Sequence, residues 1–213
     1  MVAMLSASCG VYHPQLAEIP LIDHKGDVRL SAKIGTPSTA SVTISAGVAN
    51  HFAVQVYTDI TPMVSSNYSH FAIGYYGVCG RSVYELYAGL GYGTSKINDV
   101  DRVWWTFGKY HIPYIQANWG VRNLTKAHVD LGVSLKTGCI VPEFHIINTI
   151  WNTYSWDTKT GYLIEPQTFV RFGGERVKFC LQAGYCFTDI FQTSQTHHVP
   201  YAISMGVTFF VKP

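Results

Sequence analysis

From Gly26 onward the chain alternates apolar and polar residues with period two, segment after segment, and no other feature restricts its fold as much. Val28, Leu30, Ala32 and Ile34 alternate with Arg29, Ser31 and Lys33. Val42, Ile44, Ala46 and Val48 alternate with Ser41, Thr43, Ser45 and Gly47. The same rhythm returns in Val129, Leu131, Val133 and Leu135, in Val177, Phe179, Leu181, Ala183 and Tyr185, and in Ile203, Met205, Val207 and Phe209. Successive side chains of a strand point to opposite faces, so each segment reads as a β-strand with one apolar face. Ten strands are expected, at about 27–35, 40–48, 51–60, 69–78, 82–95, 109–121, 126–138, 160–172, 176–187 and 200–211. The fold class is all-β: a single up-and-down antiparallel barrel, which drops to eight strands if the first two form one curved strand or lie outside it. Residues 1–25 read as an exported N-terminal segment, of which 10–25 carries two prolines and no period; residues 26–213 form the barrel domain. The segment 140–158 reads as a long loop, a short helix, or an extension of strands seven and eight above the membrane.

Alternation alone does not say which face is wet. A soluble lipocalin-like barrel turns the apolar set inward, and a membrane barrel turns it outward. Four features favour the membrane. The polar set is small and charge-poor: charged residues make up 13% of the 213 residues, against roughly 25% in soluble domains. Connections alternate between short ones, near Asn50, Gly80, Asn123 and Gly174, and longer ones at 61–68, 96–108, 139–159 and 188–199, as outer-membrane barrels have them. Aromatic residues fall at both ends of the apolar face, Phe52, Tyr84, Trp119, Phe172 and Phe209 at one and Phe71, Tyr92, Tyr185 and Phe187 at the other. Most strands supply the roughly 9–11 residues a tilted crossing needs, and no apolar run of ~18 residues offers a transmembrane helix.

The start, MVAMLSASCG, has a small-residue run ending in Cys9, like the end of a lipoprotein signal, with Cys9 as the lipidation candidate; a shortened ordinary signal peptide is the other reading. Both imply export. Cys180 and Cys186 would lie ~20 Å apart along one strand, too far to bridge. Net charge is +2 with Lys and Arg spread singly, so nothing points to nucleic acid.

Several runs carry a family resemblance. AGVANHFAVQVY, HFAIGYYGVCGRSVYELYAGLGYG, YIQANWGVRN and YLIEPQTFVRFGGERVKFCLQAGY resemble a family of small outer-membrane β-barrel proteins of Bacteroidetes, over about residues 26–211. The resemblance implies a barrel in the outer membrane, often with a lipoprotein-type start, and no activity. The chain departs from the usual outer-membrane ending by closing on Val211-Lys212-Pro213 rather than a terminal Phe.

On the polar face the alternation collects Arg29, Lys33, Asp59, Glu85, Asp130, Lys136, Glu165, Arg171 and Lys178, five bases and four acids. These are expected to form an ion-pair network filling a narrow lumen, completed by Gln55, Tyr57, Tyr87, Gln116, Asn118 and Gln182, with no wide pore. The chain has no GxSxG, HExxH or P-loop, so no catalytic set and no cofactor are expected. The weak metal candidates are His197 and His198, which would need Asp99, Asp101 or Asp189 beside them. His111 and His128 read as interface or lumen polars. Phe144, Trp151, Tyr154 and Trp156 in 140–158 offer a contact surface. The reading that follows is an outer-membrane barrel with a plugged polar lumen and a structural or binding role, through its outer loops or as a subunit of an envelope complex. Its partners are then outer-membrane lipid, lipopolysaccharide and that complex, with short turns and N-terminus periplasmic and long loops outside. The alternatives are a narrow channel for small solutes, an outer-membrane enzyme acting on lipid or peptide, and a soluble lipocalin-like barrel.

Overall fold

The computed structural model describes residues 11–62, 65–98, 104–125, 128–191 and 198–211. The elements are β1 (Val28–Gly35), β2 (Thr39–Ala49), β3 (Phe52–Thr61), β4 (Ser66–Cys79), β5 (Ser82–Asn98), β6 (Trp104–Val121), β7 (Asp130–Asn148), β8 (Thr153–Asp157), β9 (Gly161–Gly173), β10 (Val177–Tyr185), β11 (Phe187–Thr188) and β12 (Tyr201–Val211). Ten of these form a closed antiparallel barrel: β1 to β7 in order, then β9, β10 and β12. β12 closes the ring on β1, with Val28 opposite Val211 and Gly35 opposite Ser204. Closure leaves no barrel strand with an unpaired edge. The ten-strand expectation holds, and the first two strands are separate members of the ring.

β8 and β11 are additions outside the ring. β8 folds back on the end of β7, from Phe144 opposite Asp157 to Asn148 opposite Thr153. β11 pairs with the start of β9. Of the readings of 140–158, strand extension holds: β7 continues to Asn148 and turns back through β8 as a protruding hairpin, with neither helix nor long loop. β5, β6 and β7 run for 17, 18 and 19 residues, well past the roughly 9–11 that cross a hydrocarbon layer. Much of what was expected as loop at 61–68, 96–108 and 139–159 is strand, with inward and outward positions still alternating and the outward ones mixing apolar residues such as Trp105 and Val141 with polar ones such as Lys96 and Glu143. The connection 122–129 between β6 and β7 is longer than the tight turn expected near Asn123.

The two faces separate cleanly. Every barrel strand exposes large apolar side chains on the outside: Leu30, Ile44, Val56, Phe71, Leu86, Ile115, Val133, Ile164, Leu181 and Met205 each represent one strand. Phe52, Tyr84, Trp119, Phe172 and Phe209 lie exposed toward one end, and Phe71, Tyr92, Tyr185 and Phe187 toward the other. The inward positions carry the charges and amides, all buried.

Residues 11–22 were expected only as an extended leader. They run through the lumen, and every one of them is buried. Asp23 and Asp27 sit at the barrel end that carries the short turns, beside Arg29. The chain then passes inward until Tyr12 forms a parallel bridge with His198, at the opposite end. The N-terminal segment thus does not stay with the short turns, as expected; it is carried from that end to the other. Apolar seats explain why it fits. A Cβ on inward-facing Gly47 would meet Ile22, one on Gly120 would meet Leu21, and one on Gly184 would meet Leu16, each at under 3.0 Å.

Candidate functional site

The lumen brings together the chemistry-bearing side chains. Arg29, Lys33, Asp59, Glu85, Asp130, Lys136, Glu165, Arg171 and Lys178 all face it, each no more than 3% exposed. They are not one network. Near the short turns, Arg171 Nη1 lies 2.6 Å from Glu18 and its Nε 3.4 Å from Asp130. Lys178 reaches Asp130 at 2.6 Å. Lys33 reaches the other Glu18 oxygen at 3.2 Å. Arg29 is held between Asp23 and Asp27, 3.1 Å from each, and Arg122 closes on Asp23 as well. The Phe210 ring lies beneath this group, 4.5 Å from the Arg29 guanidinium, 5.3 Å from the Lys178 ammonium and 5.5 Å from the Arg171 guanidinium. Phe210, not Phe209, is the inward residue of the C-terminal pair.

A buried backbone must find partners for its carbonyls. Among the described residues the lumen segment has few hydrogen bonds of its own: the Ala17 N–H donates to the Gln15 carbonyl, and the Gln15 side-chain amide to the His13 carbonyl. The Val199 N–H donates to the Tyr12 carbonyl, and side chains of the wall hold the carbonyls that follow. Gln167, Lys33, Gln182 and Gln55 donate to the carbonyls of Gln15, Leu16, Ala17 and Glu18, at 3.0, 2.9, 2.8 and 2.8 Å. The Ile22 N–H donates to Glu85, which also accepts from Asn118.

Toward the other end the lumen is aromatic. The rings of Tyr68 and Tyr110 stack at 6.1 Å, and Tyr12 meets Tyr110 edge-on at 5.7 Å. Inward glycines on β5 make room for them: a Cβ on Gly91 would lie 2.0 Å from the Tyr68 hydroxyl, and one on Gly93 would lie 2.2 Å from the Tyr110 ring. Lys136 pairs with Glu165 at 3.1 Å and lies 4.9 Å above the Tyr114 ring. Tyr12 donates to Glu165 and Tyr57 to Asp59, both at 2.7 Å. Among the described residues, Asp59 and Glu85 have no Lys or Arg at ion-pair distance; His13 approaches Asp59 to 3.9 Å.

Glu18, Asp23, Asp27, Arg122 and His13 belong to this site and were not expected in it. The excess of one base among the nine wall residues was the available signal, since it called for an acid from elsewhere. What space remains is slight. A void of about 90 Å³ lies among Arg29, Arg122, Asp130, Lys178 and Phe210 at one mouth, and one of about 10 Å³ beside His13 and Leu16 at the other. Asp23, His24 and Asp27 cluster closely enough to ligate a metal, yet Arg29 and Arg122 already occupy the carboxylates with positive charge.

The remaining candidates do not converge. Cys9, Asp99, Asp101 and His197 lie outside the described residues. His198 directs Nδ1 at the Phe191 carbonyl, 3.5 Å away, while Asp189 accepts from the Tyr162 N–H. His111 lies against Tyr92 on the outer face. Cys180 and Cys186 are buried and free. In the hairpin, Phe144 is fully buried and packs on Tyr110 and Phe191, because its place in β7 points inward. Trp151, Tyr154 and Trp156 are exposed, and Trp156 and Tyr154 gather around His145 with ring centroids at 4.1 and 5.6 Å.

No known protein-family profile matches this chain, and no curated protein sequence does. Among solved structures, a KdgM porin aligns over 87% of this chain and 99% of its own at 11% identity, with a TM-score of 0.41. A de novo designed transmembrane β-barrel aligns over 89% and 100% at 11% identity, with a TM-score of 0.31. CarO2 of Acinetobacter baumannii aligns over 89% and 100% at 10% identity, with a TM-score of 0.28.

Proposed function

We propose that this chain is an outer-membrane β-barrel closed by its own N-terminal segment, with a structural or binding role in the envelope. One observation carries the reading: all ten barrel strands expose large apolar side chains outward, while nine strand charges from Arg29 to Lys178 lie buried inside and the outer Lys109–Glu143 pair sits on the extensions of β6 and β7. A soluble barrel with that arrangement would expose a continuous apolar belt to water at a cost of roughly 25 cal/mol per Å²; hydrocarbon removes the cost. The exposed aromatics at both ends suit the two membrane–water interfaces. In this reading the short turns face the periplasm and the protruding hairpin 144–157 faces outward. Trp151, Tyr154 and Trp156 then supply the surface for lipopolysaccharide or an envelope partner.

The lumen contents support closure over conduction. Residues 11–22 lie buried in the bore, and the voids beside them at its two mouths measure about 90 and 10 Å³. The purified protein in planar bilayers is expected to stay electrically quiet at low voltage, and to remain with membranes through carbonate extraction. Release into the carbonate supernatant would end the membrane reading. Steady single-channel steps from the unaltered protein would replace closure with a narrow channel.

A further inference from the structure

The bond between the lumen segment and the wall is unequal in one respect: the acid belongs to the segment and the bases to the wall. Glu18 is the only carboxylate in residues 11–22. Its Oε1 takes Arg171 Nη1 at 2.6 Å and the Thr208 hydroxyl at 3.3 Å, and its Oε2 takes Lys33 Nζ at 3.2 Å. All three partners are buried strand residues. One carboxylate oxygen per cation, with a hydroxyl added, is how a buried site holds a carboxylate.

We propose that Lys33, Arg171 and Thr208 form a carboxylate-binding site in the lumen, that Glu18 occupies it as a tethered ligand, and that small soluble carboxylates compete with Glu18 and open the barrel to anions. The proposal rests on the membrane reading above. With Glu18 gone, Lys33 has no other carboxylate at ion-pair distance among the described residues, and Arg171 keeps only Asp130, which it shares with Lys178. An uncompensated pair of buried cations draws an anion, and basic residues lining a bore select for anions. Release of the segment would break none of the barrel's strand pairings. The segment contributes no strand, and its carbonyls are held by wall side chains rather than by a ladder. The ladder of β1 begins only at Val28, after Gly26 at a φ of 89° has turned the chain out of the lumen.

The test uses the full chain in planar bilayers under a KCl gradient. Glu18→Gln is expected to open at least about tenfold more often than the unaltered protein, with a reversal potential on the anion side. Succinate added to the unaltered protein is expected to raise its opening frequency, and sulfate at equal ionic strength is not. Lys33→Gln is expected to abolish the response to succinate. The proposal fails if Glu18→Gln, folded by its heat-modifiable gel mobility, stays quiet or passes cations, or if succinate and sulfate act alike. Should Glu18→Gln not fold, the succinate and sulfate comparison on the unaltered chain still decides. Flotation with liposomes separates the two readings. A chain that does not float fails as a membrane barrel; one that floats and ignores succinate fails only here.

Discussion

At the end of the barrel that carries the short turns, the lumen is filled by ion pairs; toward the other end it is filled by rings. The first half holds Arg29, Lys33, Arg171 and Lys178 against Glu18, Asp23, Asp27 and Asp130. The second holds Tyr12, Tyr57, Tyr68, Tyr110 and Phe144, with the Lys136–Glu165 pair among them. Charges removed from water demand partners at close range, so the first half depends on which groups are present. Rings demand space and shape, so the second depends on what is missing from the wall beside them, namely the side chains of Gly91 and Gly93. The lumen segment spans both regimes, bound by Glu18 in one and by Tyr12 in the other.

The contrast breaks most sharply at Arg171. Arg171→Ala leaves Glu18 and Asp130 each short of a cation inside the protein. Loss of one partner of a buried pair costs about 3–5 kcal/mol, and urea unfolding in detergent micelles, followed by tryptophan fluorescence, is expected to show it. A loss below about 1 kcal/mol would mean that water screens this half and that the two halves do not differ in kind. In the aromatic half the matching test is Gly91→Ala. Its Cβ would intrude on the Tyr68 hydroxyl and ring, at an expected cost of about 1–3 kcal/mol. Adding Tyr68→Leu is expected to recover much of that loss, since two residues that share one space do not act independently.

The outer face of the barrel was open to sequence reading and the lumen only half so. Alternation places Leu30, Ile44 and Val133 on one side and Arg29, Thr43 and Ser134 on the other without reference to any distant residue. Period two is a local property of each strand, and it located all nine wall charges in the lumen. It says nothing of residues 11–22, which have no period because they belong to no strand. Their place depends on contacts across the chain: Glu18 with Arg171, Tyr12 with Glu165, Leu21 with Gly120. Inward glycines at 47, 120 and 184 were visible in the sequence, but a glycine in a strand does not announce what fills the space beside it. Phe144 shows the same limit on a smaller scale. Read as part of a loop it had no facing; once β7 extends through Asn148, its parity with Lys136 turns it inward.

A finer cut within the aromatic half compares two tyrosines. Tyr57 donates to Asp59 at 2.7 Å, whereas the Tyr68 hydroxyl is buried with no hydrogen-bond partner among the described residues. Tyr57→Phe strips Asp59 of its nearest donor and is expected to cost about 1–3 kcal/mol. Tyr68→Phe keeps the ring and its stack on Tyr110 and is expected to change stability by less than about 0.5 kcal/mol. Equal losses at both positions would show that the hydroxyls, and not the rings, hold this half together.

The smallest expected effect lies at the charged mouth and is read by pH. Burial would push the Asp23 carboxyl up, but a hydrogen bond with Asp27 and the guanidinium of Arg122 outweigh it, and the group is held below the usual carboxylate range. Asp27 moves the other way: burial and the neighbouring Asp23 push its carboxyl up. A carboxyl depressed in the folded state adds stability above its unfolded value, about 3.9, and loses it as pH falls below that value. Asp27 contributes with the opposite sign, since its proton is retained more readily in the folded protein. The two partly cancel, so the net loss on acidification is expected to stay under about 1 kcal/mol. Asp23→Asn removes the favourable member and leaves Asp27 with Arg29. Unfolding midpoints in urea below pH 4 are then expected to fall less steeply with acid in Asp23→Asn than in the unaltered chain. A steeper fall would place the acid sensitivity among the deeper pairs around Glu18 and Asp130, and would make the mouth a bystander to the charged half it closes.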